Sequence, residues 1–414
     1  FNFFHELNIT LDGQANENVS WKASINTGNM IGMGDLEFRD FTAGVVPTMT
    51  GSPVFEFGYT EQDQAVYIDE AWIQFGTSIA GKGTEVTVGR FYHSTNSPMF
   101  FARHDYSDFY SNDRWDNGKH MIDGGKVAFG FGENAGLTVF AARTDNPAVD
   151  NPSFFGPVFG NVGPTNPGNW VWAFQQMLGV EFDLSFGDKG GIKVLHYWQD
   201  FDYRFDDFNQ VNTLGAEASY DLSDQLTLYG VWGQTEWVDN GDVTIDEDNT
   251  AYFVGGSYNT DNWGLTGFFG QVESNYGAAG AWGRIGPYHS PANIEGWMAD
   301  FWIGLGNDTT LNVGYLDMEA ADSDSGLLGL FSGDQGATVL EVGLDFALNS
   351  NWDASLGYEH VEFDNDDGHF TWYTLGLGYN LGENTDLFIN YLMSDSSDGQ
   401  LNGGGLGIQA TVSF

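Results

Sequence analysis

The chain contains no cysteine in its 414 residues, which excludes disulfides, thiolate chemistry and any cysteine-based zinc site, and leaves the redox compartment undetermined. Basic residues are scarce too: 13 lysines and arginines stand against 58 acidic side chains, a formal charge of −45. So acidic a surface repels a phosphate backbone, which argues against nucleic acid as a partner and in favour of cations. Proline is rare, at 10 residues beside 57 glycines, and helical periodicity is nowhere sustained. No apolar run approaches the length of about 18 residues that a spanning helix needs, and no basic-then-apolar signal segment opens the chain. If the chain enters a membrane, it does so as strands.

What is present is aromatic and alternating. The 34 Phe, 18 Tyr and 14 Trp rule out a disordered acidic chain. About nineteen segments of roughly ten residues alternate in polarity, the weak per-segment signal of a membrane-spanning barrel strand. In "TWYTLGLGYN" the apolar parity is Tyr373, Leu375, Leu377 and Tyr379; in "VLEVGLDFAL" it is Leu340, Val342, Leu344, Phe346 and Leu348; in "MLGVEFDLSF" it is Leu178, Val180, Phe182, Leu184 and Phe186. Rings stand at the ends of apolar faces, where a membrane interface favours them. Nine short connections ("GQANEN", "SIAGKG", "GENA", "GDKGG", "LSDQ", "NTDN", "GNDT", "NSN", "GEN") alternate with mostly longer, polar, acidic stretches, among them 30–64, 94–120, 146–170, 238–248, 274–293 and 321–335. Short turns on one side and long loops on the other are the asymmetry of outer-membrane barrels. Nineteen strands put the two ends of the chain on opposite sides. An even count therefore asks for at least one further strand before Phe1, or a count that is off by one.

The last residues, "GLGIQATVSF", place Leu406, Ile408, Ala410, Val412 and Phe414 on one parity. This resembles the terminal strand of Gram-negative outer-membrane proteins, and the resemblance implies that Phe414 is the signal read by the barrel-assembly machinery. A second stretch, "EVTVGRFYHSTNSPMFFARHDYSDFYSNDRWDNGKHMIDGGKVAFGF", is similar to the porin segment in which a strand ends in Gly-Arg, a loop folds into the lumen, and the next strand opens with Asp-Gly, here Asp123-Gly124. The fold expected over 1–414 is a single all-β, transmembrane antiparallel barrel of about 18 to 20 strands, with short periplasmic turns, long extracellular loops and an inward-folded constriction loop at about 91–120. The resemblance further implies an integral outer-membrane protein with its loops outside, among lipid and lipopolysaccharide. A homotrimeric diffusion porin and a porin tethered through an N-terminal module both fit.

Arg90 has two readings. The parity of Val86 and Val88 turns it toward lipid unless a bulge at Gly89 redirects it; the resemblance implies a constriction arginine, and the plainer alternative is a rim salt bridge. Residues 91–120 mix charges and rings, so Arg90, Arg103 and Arg114 facing Asp105, Asp108 and Asp113 are the expected pore constriction; an outward loop with local ion pairs is the alternative. By parity Glu70, Glu181, Asp183, Glu217, Glu341, Asp345, Asp353 and Glu359 line the lumen. So many carboxylates would be ruinous in a dry interior but suit a water-filled, cation-attracting pore. Asp364, Asp366 and Asp367 are the candidates for weak surface Ca²⁺ binding, with a solvated acidic surface the plainer reading; no cofactor is otherwise expected. The eight histidines show no metal-ligand spacing, and "GAAGAWG" reads as turn chemistry, so nothing points to catalytic residues or an enzyme. The expected function is passive diffusion of small hydrophilic solutes and ions with a preference for cations. The alternatives are a channel for sugar-like solutes over an aromatic track (Phe91, Tyr92, Phe100, Phe101, Phe109, Tyr110, Trp115), or a plugged, envelope-anchoring barrel.

Overall fold

A computed structural model describes residues 2–32, 65–79, 82–97, 99–101, 120–144, 174–205, 208–239, 242–280, 282–285, 288–289, 291–306, 308–324, 326, 329–364, 368–382, 385–397 and 403–412. The described residues form strands and connections only. In chain order the strands are β1 (Asn2–Asn16), β2 (Val19–Gly32), β3 (Ala65–Ile79), β4 (Lys82–His93), β5 (His120–Gly130), β6 (Ala135–Thr144), β7 (Phe174–Ser185), β8 (Gly190–Phe205), β9 (Phe208–Asp221), β10 (Leu226–Asp239) and β11 (Asp242–Ile245). They continue with β12 (Thr250–Asn259), β13 (Trp263–Val272), β14 (Arg284–Ile285), β15 (Tyr288–His289), β16 (Ile294–Gly306), β17 (Thr309–Glu319), β18 (Gly336–Ala347), β19 (Trp352–Phe363), β20 (Gly368–Gly382), β21 (Thr385–Ser396) and β22 (Gly403–Val412).

All but β14 and β15, which form a small hairpin of their own, belong to a single sheet of 20 strands. Since β11 is a 4-residue insertion against the end of β10, nineteen long strands make the wall. Each pairs antiparallel with its sequence neighbours, from β1 with β2 to β21 with β22. The nine expected tight connections all fall at one end of the strands, and none exceeds four residues between strand bounds. Among the described residues β22 does not pair with β1, so the sheet is not closed.

Alternation sets the two faces. Large apolar side chains stand exposed along one of them: Leu178 at 44%, Phe182 at 44%, Leu340 at 39%, Tyr373 at 43% and Leu375 at 48% exposure, on the parities read from the sequence. A soluble protein rarely leaves so continuous an apolar face uncovered, whereas an apolar band about 25 Å tall is what a membrane barrel turns to lipid. Aromatic pairs such as Trp297 with Tyr315 and Trp352 with Tyr379 lie across neighbouring strands, consistent with rings gathered toward the ends of the strands.

The opposite face curls around a packed interior. His93 on β4 touches Glu181 on β7, although three strand spacings separate them, about 14 Å along a flat sheet. Contacts across several strands on one face require strong curvature. The apolar cluster on this inner face includes Phe91, Phe140, Leu195, Tyr197, Trp237, Tyr276, Phe331 and Trp372.

Candidate functional site

The inner face of β4, β7 and β8 carries a charge cluster. Glu181 is buried, and its carboxylate meets His93 Nε2 at 2.9 Å, Lys193 Nζ at 3.1 Å and the donating Tyr197 hydroxyl at 2.5 Å. Lys193 also reaches Asp183 at 3.4 Å. A buried carboxylate without partners costs several kcal/mol, so this one is held by a cation and two further polar groups. Phe140 and Tyr197 pack around His93, with ring centroids 4.6 and 6.3 Å away. Nearer β2, Lys22 pairs with Glu70, and Trp72 Nε1 donates to Glu70 at 3.0 Å.

Directly after β4, residues 94–97 and 99–101 leave the wall and cross the inner face. Their backbone is caught by Glu217 on β9, whose carboxylate accepts the N–H of Asn96 at 3.2 Å and of Ser97 at 2.6 Å. Met99, Phe100 and Phe101 are fully buried. The Phe100 ring lies over Gly215 and Gly233; a Cβ at either glycine would come within 2.5 or 2.7 Å of it. The backbone then forms a parallel bridge from Phe101 to Ala279, and the Tyr276 hydroxyl donates to Met99 O at 3.4 Å. Burial pushes that hydroxyl well above the ordinary phenol range, so it stays a donor.

Two further connections join this packing. Trp237 Nε1 donates to Asn275 O at 2.9 Å. Ala292 bridges Gly329, and Leu330 N donates to Ala292 O at 2.8 Å. Asn293 sits buried at a φ of 53°, a left-handed conformation that asparagine tolerates better than most residues. Its Nδ2 reaches the carbonyls of Asp322 at 3.0 Å, Asp324 at 3.0 Å and Phe331 at 2.7 Å, and its Oδ1 accepts Asp322 N at 2.8 Å. The sequence reading of 274–293 and 321–335 as polar loops is therefore corrected: Tyr276, Ala278, Ala279, Ile285, Ala292 and Phe331 are buried. The small alanines and the apolar "GLLGLF" were the overlooked signal, because solvent-facing loops do not need them.

Farther around, the inner face turns acidic. Asp300 pairs across the sheet with Gly314, Gly314 with Glu341, and Glu341 with Glu359, so three carboxylates stand in one row over β16 to β19. Gly314 leaves room between them: a Cβ there would lie 2.9 Å from Asp300 Oδ1 and 3.2 Å from Glu341 Oε2. Asp353 lies on the same face, as does Asp345, which accepts from Asn312 Nδ2 at 3.1 Å. From residue 205 onward the sequence holds one lysine or arginine, Arg284, and it lies in β14, outside the wall. Like charges directly opposite one another destabilise a sheet unless water screens them.

Arg90 forms an ion pair on the outward face. It shares parity with exposed Val88 and pairs with Asp123 on β5 through Nε–Oδ1 at 2.7 Å and Nη2–Oδ2 at 2.8 Å, while Nη1 donates to Ile68 O at 2.8 Å. Arg143 approaches Asp123 at 3.8 Å from β6. The bulge considered at Gly89 is absent, since the register runs unbroken through Gly89 on both sides. Gly89 instead has a φ of 127° and lies so close to Ala71 O that a Cβ would meet it at 2.1 Å. The irregularity is on β3, between the pairs at Glu70 and Ile68. Arg103, Asp105, Asp108, Phe109, Tyr110, Asp113, Arg114, Trp115, Asp366, Asp367 and Phe414 lie outside the described residues. Phe91, Phe100 and Phe101 share the inner packing, and Tyr92 has the opposite parity. No group of metal-ligating side chains occurs among the described residues.

Residues 279–399 match a family model described as Gram-negative porin. No curated protein matches the chain. Among solved structures, Pseudomonas aeruginosa OprD is similar at 12% identity and a TM-score of 0.53, with 95% of this chain and 90% of that chain covered. The Pseudomonas aeruginosa outer-membrane protein OpdK is similar at 11% identity and a TM-score of 0.52, covering 95% of this chain and 93% of that one. A BenF-like porin from Pseudomonas fluorescens Pf-5 is similar at 12% identity and a TM-score of 0.50, covering 94% and 91%. At such identities the likeness is one of fold, and the fold is that of a Gram-negative porin-like β-barrel.

Proposed function

We propose that the chain is an outer-membrane channel for small hydrophilic solutes, with a preference for cations. The observation that carries this reading is the row Asp300, Glu341 and Glu359 on a wall whose strands from β9 onward hold no lysine or arginine. A ring of acids concentrates cations and excludes anions. The porin-like fold and the match over 279–399 support the channel itself. The test is a planar bilayer held in a tenfold salt gradient. A reversal potential near the cation limit is expected, and one near zero or of anion sign would remove the preference.

The filling of the inner face by residues 94–97 and 99–101 favours a second reading, a narrow channel that selects its solute over Phe91, Phe100 and Phe101. Solute flux that saturates and blocks ion current would support it, whereas flux linear in concentration would leave the diffusion pore. A homotrimer is part of the proposal. The outward Arg90, Asp123 and Arg143, with small Ala71 beside them, form a polar patch that lipid would solvate poorly. Crosslinking in native membranes is expected to give a threefold ladder that the double variant Arg90→Ala/Arg143→Ala weakens; a monomer band alone would refute the trimer.

A further inference from the structure

We infer that Glu217 is a latch: by accepting the backbone N–H groups of Asn96 and Ser97 it holds residues 94–97 and 99–101 across the inner face and so sets the calibre of the passage, an inference that rests on the channel reading above. Glu217 belongs to the wall, on β9, whereas its partners follow β4, 120 residues earlier. Nothing in the local chain brings them together, so the contact is a tertiary fastening. Both acceptor oxygens are engaged by main-chain donors, at 3.2 and 2.6 Å, and the residue is 6% exposed. Hydrogen bonds to a carboxylate are among the stronger ones, and main-chain donors impose no side-chain preference on Asn96 or Ser97.

The seat beside the latch is shaped for what it holds. Gly215 lies two residues before Glu217 on the same face of β9, and the cleft it makes with Gly233 takes the Phe100 ring. A glycine pair under an aromatic ring and a carboxylate under a pair of amides form one receptor for a single stretch of chain. Beyond it, Phe101 is bridged to Ala279, and Asn293 ties that connection to Asp322, Asp324 and Phe331. Release at Glu217 would therefore loosen an interlocked body rather than a lone loop. A lumenal acid acting only through its charge needs none of this.

The test uses the absence of native cysteine. Met99→Cys places a single thiol on the held segment, at a side chain 1% exposed. In full-length protein reconstituted in vesicles, its rate of reaction with a charged, water-soluble thiol reagent is compared in three backgrounds: Glu217, Glu217→Gln and Glu217→Ala. Loss of hydrogen bonds to a charged acceptor is expected to raise reactivity about ten- to hundredfold in Glu217→Ala. The increase should be smaller in Glu217→Gln, which keeps one carbonyl acceptor. Single-channel conductance should rise in the same order, by roughly twofold in the alanine variant as the segment leaves the passage. Equal reactivity in all three backgrounds, or a thiol already reactive beside native Glu217, would overturn the latch. Reactivity that rises while conductance stays constant would overturn its control of calibre. Equal conductance changes in Gln and Ala would reduce Glu217 to a charge. Should no variant carry current, the channel reading fails, and the thiol still decides whether the latch exists.

Discussion

On β2 to β8 the buried carboxylates have lysines against them: Lys22 on Glu70, and Lys193 on Glu181, which also meets His93. On β16 to β19 Asp300, Glu341 and Glu359 share one row, and the wall from β9 onward offers no lysine or arginine. The same residue types thus sit in opposite environments. Where rings and inward segments exclude water, an acid needs its countercharge, because burial of an isolated charge is prohibitive. Where acids stand beside acids, water and mobile cations can screen the exposed Glu341, whereas Glu359 is itself buried. The difference is one of countercharge: the first acids are met by lysine across the sheet, and the second stand in a row with no lysine or arginine on their part of the wall.

Removing a lysine partner should cost most. Lys193→Met strands Glu181 beside the uncharged Tyr197 hydroxyl and a histidine, and about 3 kcal/mol of stability should be lost in denaturant unfolding followed by tryptophan fluorescence. A loss no larger than that of Glu341→Gln would erase the distinction between the walls. Gly215→Ala comes next: its Cβ would press within 2.5 Å of the Phe100 ring, for an expected cost of about 1–3 kcal/mol in the same assay. On the acidic row, Asp300→Asn with Glu341→Gln should leave stability within about 0.5 kcal/mol of the native protein or improve it. The effect there should be on transport, with the reversal potential moving toward zero. An unchanged potential would mean that ions do not pass this row. Salt sharpens the contrast least: between 0.1 and 1 M the screening length falls from about 10 to 3 Å. Native protein should gain a few tenths of a kcal/mol, and the Asp300→Asn/Glu341→Gln variant less.

Much of the wall was legible. Tyr373, Leu375, Leu377 and Tyr379 announce an outward face by simple alternation, and turn residues such as "GENA" and "LSDQ" mark the ends of strands. Both signals are local, which is why they survive in a single sequence. The interior was less legible. Glu181 reads as a lumenal acid by parity, yet its enclosure by His93 and Lys193 depends on a curvature that alternation does not encode. Arg90 was ambiguous because a glycine before it permits a bulge, and only the register decides that none occurs. Phe331 was lost inside a stretch rich in Asp and Ser, and Tyr276 inside one rich in Gly and Ala, where local composition outweighs a few apolar side chains.

The meander has a consequence for the order of assembly. Every strand of the wall lies beside its neighbour in sequence, so nine hairpins can form and join with short loop closures. The contacts between residues 94–97 and Glu217 close a loop of 120 residues, which a growing sheet cannot make until β9 is in place. Seating of that segment is therefore a late event, and a thiol at position 99 should gain protection after tryptophan fluorescence reports a finished wall. The protein would first exist as a wider, unfastened shell and become narrow only at the end of its own folding.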